Sequence, residues 1–170
     1  MPGDRVLEVG CGPGVLSAAM QKRGVQMTGL ERSSAMVKRA RRNAPECTFI
    51  EGDALFIPLP NAELDVAFAS SVVNVVSEPQ KLVSEMARVV RPGGRVSVLF
   101  PTLELSRNYK KTAKQREIRG LSAAALGIWG SKAPKREPEV IEALFAAAGI
   151  QHTSVRRYFD NSIASVTGLR

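Results

Sequence analysis

Residues 6–14 read VLEVGCGPG, an apolar run that carries one acid, Glu8, and passes into three glycines at alternate positions, Gly10, Gly12 and Gly14. Residues 5–9 have the length and apolar content of a buried strand. Val15, Leu16, Ala19 and Met20 then recur at helical spacing until Gly24 ends the pattern. A strand that turns through such glycines into a helix is a ligand-cradling geometry. Without Cβ atoms the chain turns sharply, and a ligand can lie against bare amides at the helix N-terminus. A tight turn without a ligand gives no reason for three glycines, each roughly 0.5–1 kcal/mol worse than alanine in regular structure.

The alternation continues outward from this turn. Residues 25–30 read as a second strand, and Ser33 or Ser34 caps a helix that turns Met36, Val37 and Ala40 inward and ends at Pro45. Residues 47–50 form a third strand. A loop with Pro58 and Pro60 leads to a fourth strand at 64–70. Leu82, Val83, Met86, Val89 and Val90 make an apolar helical stripe closed by RPGG, followed by a fifth strand at 95–100. Nearly all-apolar strands alternating with helices imply βαβ units on a parallel sheet covered on both faces. The end of the chain differs. A helix (Val140, Ile141, Leu144, Phe145, Ala148) stops at Gly149, and strand-like runs at 152–158 and 163–167 flank the turn residues DNS. Hairpin-joined strands are antiparallel, so the sheet finishes with one reversed strand.

A chain of 170 residues fits one domain with a sizeable core, and 44% hydrophobic and 24% charged residues is ordinary for a globular protein. No apolar run reaches 18 residues, so no membrane span is expected, and the first residues, MPGDR, lack the layout of a secretory signal. Cys11 and Cys47 match neither a disulfide framework nor a metal-ligand spacing; reduced cysteines and a cytoplasmic address follow, with no metal. The net charge of +8 is concentrated: residues 103–138 hold nine Lys/Arg against three acids, and KRARR at 38–42 is a second cluster. Such patches attract nucleic acid, acidic headgroups or anionic substrates, or simply solvate a helix face. The low aromatic content, 5%, argues against a base-stacking surface.

The ligand can be narrowed from the residues. A dinucleotide turn follows G-x-G-x-x-G, whereas this one is G-x-G-x-G, with Pro13 inside and Val15 where the third dinucleotide glycine falls. No Lys-Ser/Thr pair follows, which excludes a Walker-type loop. Glu31 ends the second strand and can accept both hydroxyls of a ribose; Asp53, in EGDA after the third strand, can accept from an exocyclic amino group such as adenine's. The bland readings are a surface acid for Glu31 and a turn cap for Asp53. Nothing resembles a phosphate clamp, and three acids near the crevice favour a cationic nucleoside without a polyphosphate.

VLEVGCGPG, GLERSSAMVKRA, EGDALFIPLPNAELDVAFASSVVNVV and MARVVRPGGRVSVLFP, in that order, resemble successive motifs of the class I S-adenosylmethionine-dependent methyltransferases. The subgroup they look most like methylates small molecules of the quinone-precursor type. The likeness is strong over residues 4–102 and looser from 138 onward. It implies a Rossmann-like, doubly wound α/β fold, a seven-stranded sheet in the order 3-2-1-4-5-7-6 with strand 7 antiparallel. It also implies S-adenosyl-L-methionine as cofactor, with Glu8, Gly10, Cys11, Gly12 and Gly14 around its methionine part. Glu31 and Arg32 would lie at the ribose, Asp53 and Ala54 at the adenine, and Ser70 and Ser71 near the methyl being transferred. The Asp/Asn-Pro-Pro-aromatic motif of amino-methylating DNA and protein-glutamine enzymes is replaced by ASSV, which points away from those substrates.

No side chain stands out as a general base, so no catalytic residue is assigned. His152, the only histidine, reads as structural; Asn74 and Tyr109 are possible acceptor contacts, and Trp129 reads as packing for the insert. Family members commonly carry helices before the first strand that close over the cofactor. Here four residues precede it, so that cover is expected to be absent or supplied differently. Residues 101–138 are too long for a plain loop, and the basic insert at about 103–138 is expected to be the lid of a single domain, setting acceptor choice. The leading expectation is a methyltransferase for a small-molecule acceptor. The alternatives are an RNA or protein methyltransferase that uses the basic insert, a truncated noncatalytic cofactor-binding module, and a nicotinamide oxidoreductase.

Overall fold

Seven strands hydrogen-bond in the order β3-β2-β1-β4-β5-β7-β6, as the resemblance implies, in a computed structural model that describes residues 1–115, 117, 119–120, 130–132 and 134–170. They are β1 (Arg5–Val9), β2 (Gln26–Glu31), β3 (Thr48–Glu51), β4 (Leu64–Ser70), β5 (Val90–Pro101), β6 (Gln151–Tyr158) and β7 (Ile163–Leu169). The pairs β1–β2, β1–β4, β2–β3 and β4–β5 are parallel, while β7 runs antiparallel to both β5 and β6. The helices are α1 (Val15–Gln21), α2 (Ser34–Asn43), α3 (Pro79–Val89), α4 (Leu103–Gln115) and α5 (Pro138–Ala147).

Alternation along the strands sorts the core into two faces. Leu7, Val9, Ala67, Ala69, Val96, Val98, Phe100, Ala164 and Val166 point to one side, where Leu82, Met86, Ile141 and Phe145 of α3 and α5 bury them. On the other side Val6, Val25 and Met27 pack with Met20 of α1, and Val37 and Ala40 of α2 close over Cys11 and Phe49. At the β5–β7–β6 end of that second side the sheet is polar: Ser97, Ser154, Arg156, Tyr158, Ser165 and Thr167 line a shallow concavity of about 550 Å³. β6 is exposed along its whole length.

Two helices differ from the periodicity reading. In α1 the expected inward residues Val15 (68% exposed), Leu16 and Ala19 face solvent, and Ser17 is fully buried instead. The reason is polar: the Ser17 hydroxyl donates to the buried Glu8 carboxylate, at 2.5 Å, which fixes the face that α1 turns to the sheet. In α2, Ser33 is the cap, its hydroxyl accepting the Met36 N–H, and Val37 and Ala40 are buried while Met36 is exposed. β5 starts at Val90 rather than 95, because RPGG continues the strand beside the chain end, with Gly93 N–H donating to the Arg170 carbonyl and Arg170 N–H to that of Gly94. Within the insert, α4 anchors through buried Leu105, and the Tyr109 ring lies so close to Gly130 that a Cβ there would meet it at 2.7 Å. The expected apolar patch at 121–129, with Trp129, lies outside the described residues.

Candidate functional site

β1 and β4 are neighbours from which the chain winds outward in opposite directions, and a crevice of about 530 Å³ opens at their carboxyl ends. This is the switch point at which open α/β sheets take ligands. Its lining brings together Gly10, Glu31, Arg32, Asp53, Ala54, Ser70 and Ser71, from four separate strand ends. Glu8, Cys11, Gly12 and Gly14 do not line it. Glu8 and Cys11 are buried beneath the turn, 4% and 5% exposed. Burial is the main force raising the Glu8 carboxyl above its ordinary range, opposed by its hydrogen bonds with Ser17. The Cys11 thiol is pushed up to about 12, first by burial and then by the nearby Glu8 and Glu31 carboxylates, which makes it an inert packing group.

The glycines make the sharp turn the sequence suggests, while their amides bond within the protein. All three have positive φ, but the amides of the turn are already engaged. Gly10 and Cys11 N–H both donate to the Leu30 carbonyl, Gly14 N–H to that of Cys11, and Gly12 N–H to Glu31 Oε2 at 3.1 Å. The amides of Gly10, Cys11, Gly12 and Gly14 thus all bond within the protein, which is unlike a phosphate nest. A Cβ on Gly10 would sit 2.3 Å from Val72 Cγ2, and one on Gly14 would sit 2.9 Å from the Phe49 ring. Only Gly12 has open space at that position.

Glu31 is held from below by two backbone donors, Gly12 N–H on one oxygen and Ser33 N–H on the other at 2.9 Å. A carboxylate offers about four lone-pair sites, so both oxygens retain capacity for a diol. Asp53 accepts the Leu55 N–H on Oδ1, at 2.9 Å, so it does cap its turn, and Oδ2 stays available beside the crevice. The turn itself is pinned by Arg88, whose guanidinium donates to the Ile57 and Leu59 carbonyls, to Asn61 and to Glu85. The wall after β4, formed by Val72, Val75, Val76 and Ser77, was not singled out as site residues by sequence reasoning. A signal exists in SSVVNVVS: apolar residues in a loop before α3, one of which, Val75, is 69% exposed.

Of the other candidates, His152 lies at the amino end of β6, next to Gln151, which pairs with Leu169 at the end of β7, so it is remote from the crevice at the carboxyl ends of β1 and β4. Asn74 is buried, with its amide nitrogen donating to the Pro134 carbonyl at 2.7 Å and its oxygen without a partner among the described residues. Tyr109 is occupied against Gly130. Among the described residues no group of three or more His, Cys, Asp and Glu gathers as a metal site, and no helix is long and apolar enough to cross a membrane.

The raised Glu8 carboxyl gives a signed prediction. A group whose folded value exceeds its unfolded one contributes stability at low pH and loses it as pH climbs from the unfolded value through the folded one. Glu8→Gln keeps an acceptor for Ser17 and has no proton to lose. Urea unfolding from pH 4.5 to 8 should therefore show the variant gaining stability relative to the parent as pH rises. A constant difference would mean that the carboxyl is not perturbed.

Comparison with known proteins agrees with this geometry. The family model described as "Methyltransferase domain" matches residues 7–98. Over 102 residues the chain is 37% identical to a malonyl-[acyl-carrier protein] O-methyltransferase of Serratia marcescens, covering 60% of this chain and 39% of that protein. Over 98 residues it is 37% identical to a demethylmenaquinone methyltransferase of Renibacterium salmoninarum, covering 58% and 41%. The chain thus spans about two fifths of the length of these curated relatives. A crystal structure of an S-adenosylmethionine-dependent methyltransferase from Thermotoga maritima, a possible histamine N-methyltransferase, superposes with a TM-score of 0.77 at 20% identity, over 99% of this chain and 83% of that one. A glycine turn, two strand-end acids and a reversed seventh strand coincide with a family match across more than half the chain, and the chain belongs to the methyltransferase-domain family.

Proposed function

We propose that the chain binds S-adenosylmethionine in the β1–β4 crevice and directs its methyl group to a small-molecule acceptor. The observation that carries this is the pair Glu31 and Asp53, which face one crevice with acceptor capacity to spare while the glycine turn offers no amides for phosphate. Bound there, the cofactor supplies an activated methyl on a sulfonium with a neutral thioether as leaving group. The residues then have three tasks. Glu31, held by two amides, accepts from the ribose hydroxyls, and Asp53 Oδ2 accepts from the adenine amino group. Gly10, Ser70 and Ser71 border the methionine end, with Cys11, Gly12 and Gly14 shaping the turn behind them. Val72, Val75 and Val76 give that end an apolar wall that excludes water and aligns the acceptor, the main requirement when the leaving group is built in. Arg32 lines the rim.

A small acceptor accords with the likeness to a demethylmenaquinone methyltransferase. The insert of this single domain is read as its lid, tied to the crevice wall where the Asn74 amide donates to the Pro134 carbonyl. Its exposed cations are partly engaged within the protein, Arg107 with Glu104 and Lys111 3.8 Å from Asp160, which favours a small acceptor over nucleic acid. The reading places the protein in the cytoplasm, where unpaired thiols such as Cys11 and Cys47 persist. Isothermal calorimetry with S-adenosylhomocysteine is the test: saturable heat with micromolar affinity is expected, and NAD(H) should give none. Silence with S-adenosylhomocysteine overturns the reading.

A further inference from the structure

The segment 71–77 forms one wall of the crevice on its inner side. It begins at Ser71 in the left-handed region (φ 64) and is braced internally only by short turns from Val75 and Val76 to Val72. On its outer side it is tied to the return leg of the insert, about 60 residues away in sequence. Asn74 Nδ2 donates to the Pro134 carbonyl at 2.7 Å, and Arg136 Nε donates to the Val73 carbonyl at 3.1 Å. The leg is itself seated on the end of β5 and the start of α4. Arg136 N–H reaches the Pro101 carbonyl, and Glu137 Oε1 accepts the Leu103 N–H at 2.9 Å. A carbonyl can only accept, so the Pro134 contact also fixes which way the Asn74 amide is turned.

We infer that residues 134–137 act as a strap that sets the cofactor wall, with Asn74 and Arg136 as positioning residues rather than acceptor contacts. The inference rests on the cofactor reading above. Displacing the strap lets 71–77 relax away from Gly10, against which Val72 is packed, and so loosens the methionine end of the crevice. Anything that binds the insert and shifts the strap therefore changes cofactor affinity, and the cofactor changes that partner's affinity by the same factor.

The test uses Arg136→Ala and Asn74→Ala, with Arg136→Lys as the conservative variant and Lys110→Ala on exposed α4 as the control. Calorimetry with S-adenosylhomocysteine should show affinity weakened about 10-fold in the two alanine variants, within the usual range of coupling, and largely restored in Arg136→Lys. Hydrogen exchange in the unliganded protein should quicken at 71–77 and not in β1 or β2. Should Asn74→Ala fail to fold, Arg136→Ala, at a half-buried surface position, carries the same two readouts. A parent that binds the ligand, with variants unchanged in affinity and exchange, overturns the strap alone; a parent that binds nothing overturns the cofactor reading.

Discussion

Replacing Glu31 with alanine is expected to weaken S-adenosylhomocysteine binding by about 100-fold, the largest single effect on the crevice. Hydrogen bonds to a charged group contribute roughly 1.5 kcal/mol or more each, and two of them to a diol amount to about 3 kcal/mol, or two decades in Kd. The substitution acts twice, since the same carboxylate receives Gly12 and Ser33 N–H and thereby braces the glycine turn and the entry to α2. Glu31→Gln keeps one acceptor and loses the other, so it should fall between parent and alanine. Calorimetry over the three proteins checks the order. A parent-like Glu31→Ala would show that the carboxylate only braces the backbone and never meets the ligand.

Gly10→Ala is expected to be the most damaging one-methyl change in the turn. Positive φ alone is worth roughly 1–2 kcal/mol against a side chain, and Gly10 has φ 74. The new Cβ would also lie 2.3 Å from Val72 Cγ2, and overpacking of that kind is worth about 1–3 kcal/mol. Together about 3 kcal/mol should lower Tm by roughly 6–12 °C for a chain of this size. Gly12→Ala meets open space, so only the φ penalty of about 1.5 kcal/mol remains and the drop should be about 3–6 °C. Adding Val72→Ala to Gly10→Ala should return part of the loss, whereas it has nothing to relieve beside Gly12→Ala. Differential scanning fluorimetry of the five proteins decides: equal drops for the two glycines would mean that steric contact with Val72 is irrelevant.

The strands were legible because buried parallel strands are nearly continuous apolar runs bounded by glycine or proline, and β1 and β4 fall on the residues the pattern assigns. The reversed β7 was legible for a different reason, from two strand runs joined by the turn residues DNS. Helix α1 was not. A period-3.6 count assigns Val15, Leu16 and Ala19 to the core, but Ser17, bonded to the buried Glu8, decides the orientation. Hydropathy has no means of recording that a polar pair prefers to be buried together. In the crevice, Glu31 and Asp53 could be found because an acid at the carboxyl end of a strand has a fixed address. The role of Asn74 could not, since it depends on a carbonyl 60 positions away, at the end of an insert whose path no local pattern specifies. The glycine turn lies between these cases. Its position was readable, but the reason for Gly10 is a neighbouring valine side chain, which only the folded chain brings into contact.

The outermost strand has a consequence for behaviour at high concentration. Among the described residues β6, like β3 at the opposite margin, hydrogen-bonds to one neighbouring strand and leaves its other side unpaired, an invitation to a second copy. Consecutive residues Arg156 and Arg157 point to opposite sides of the sheet, the first towards Ser165 and the second towards Glu137 and Glu139 of the neighbouring helix start. Two such margins laid together would therefore bring guanidinium groups into register above and below the ribbon. A like charge on that edge works against such pairing, carried more by Arg156 than by Arg157, which faces two carboxylates.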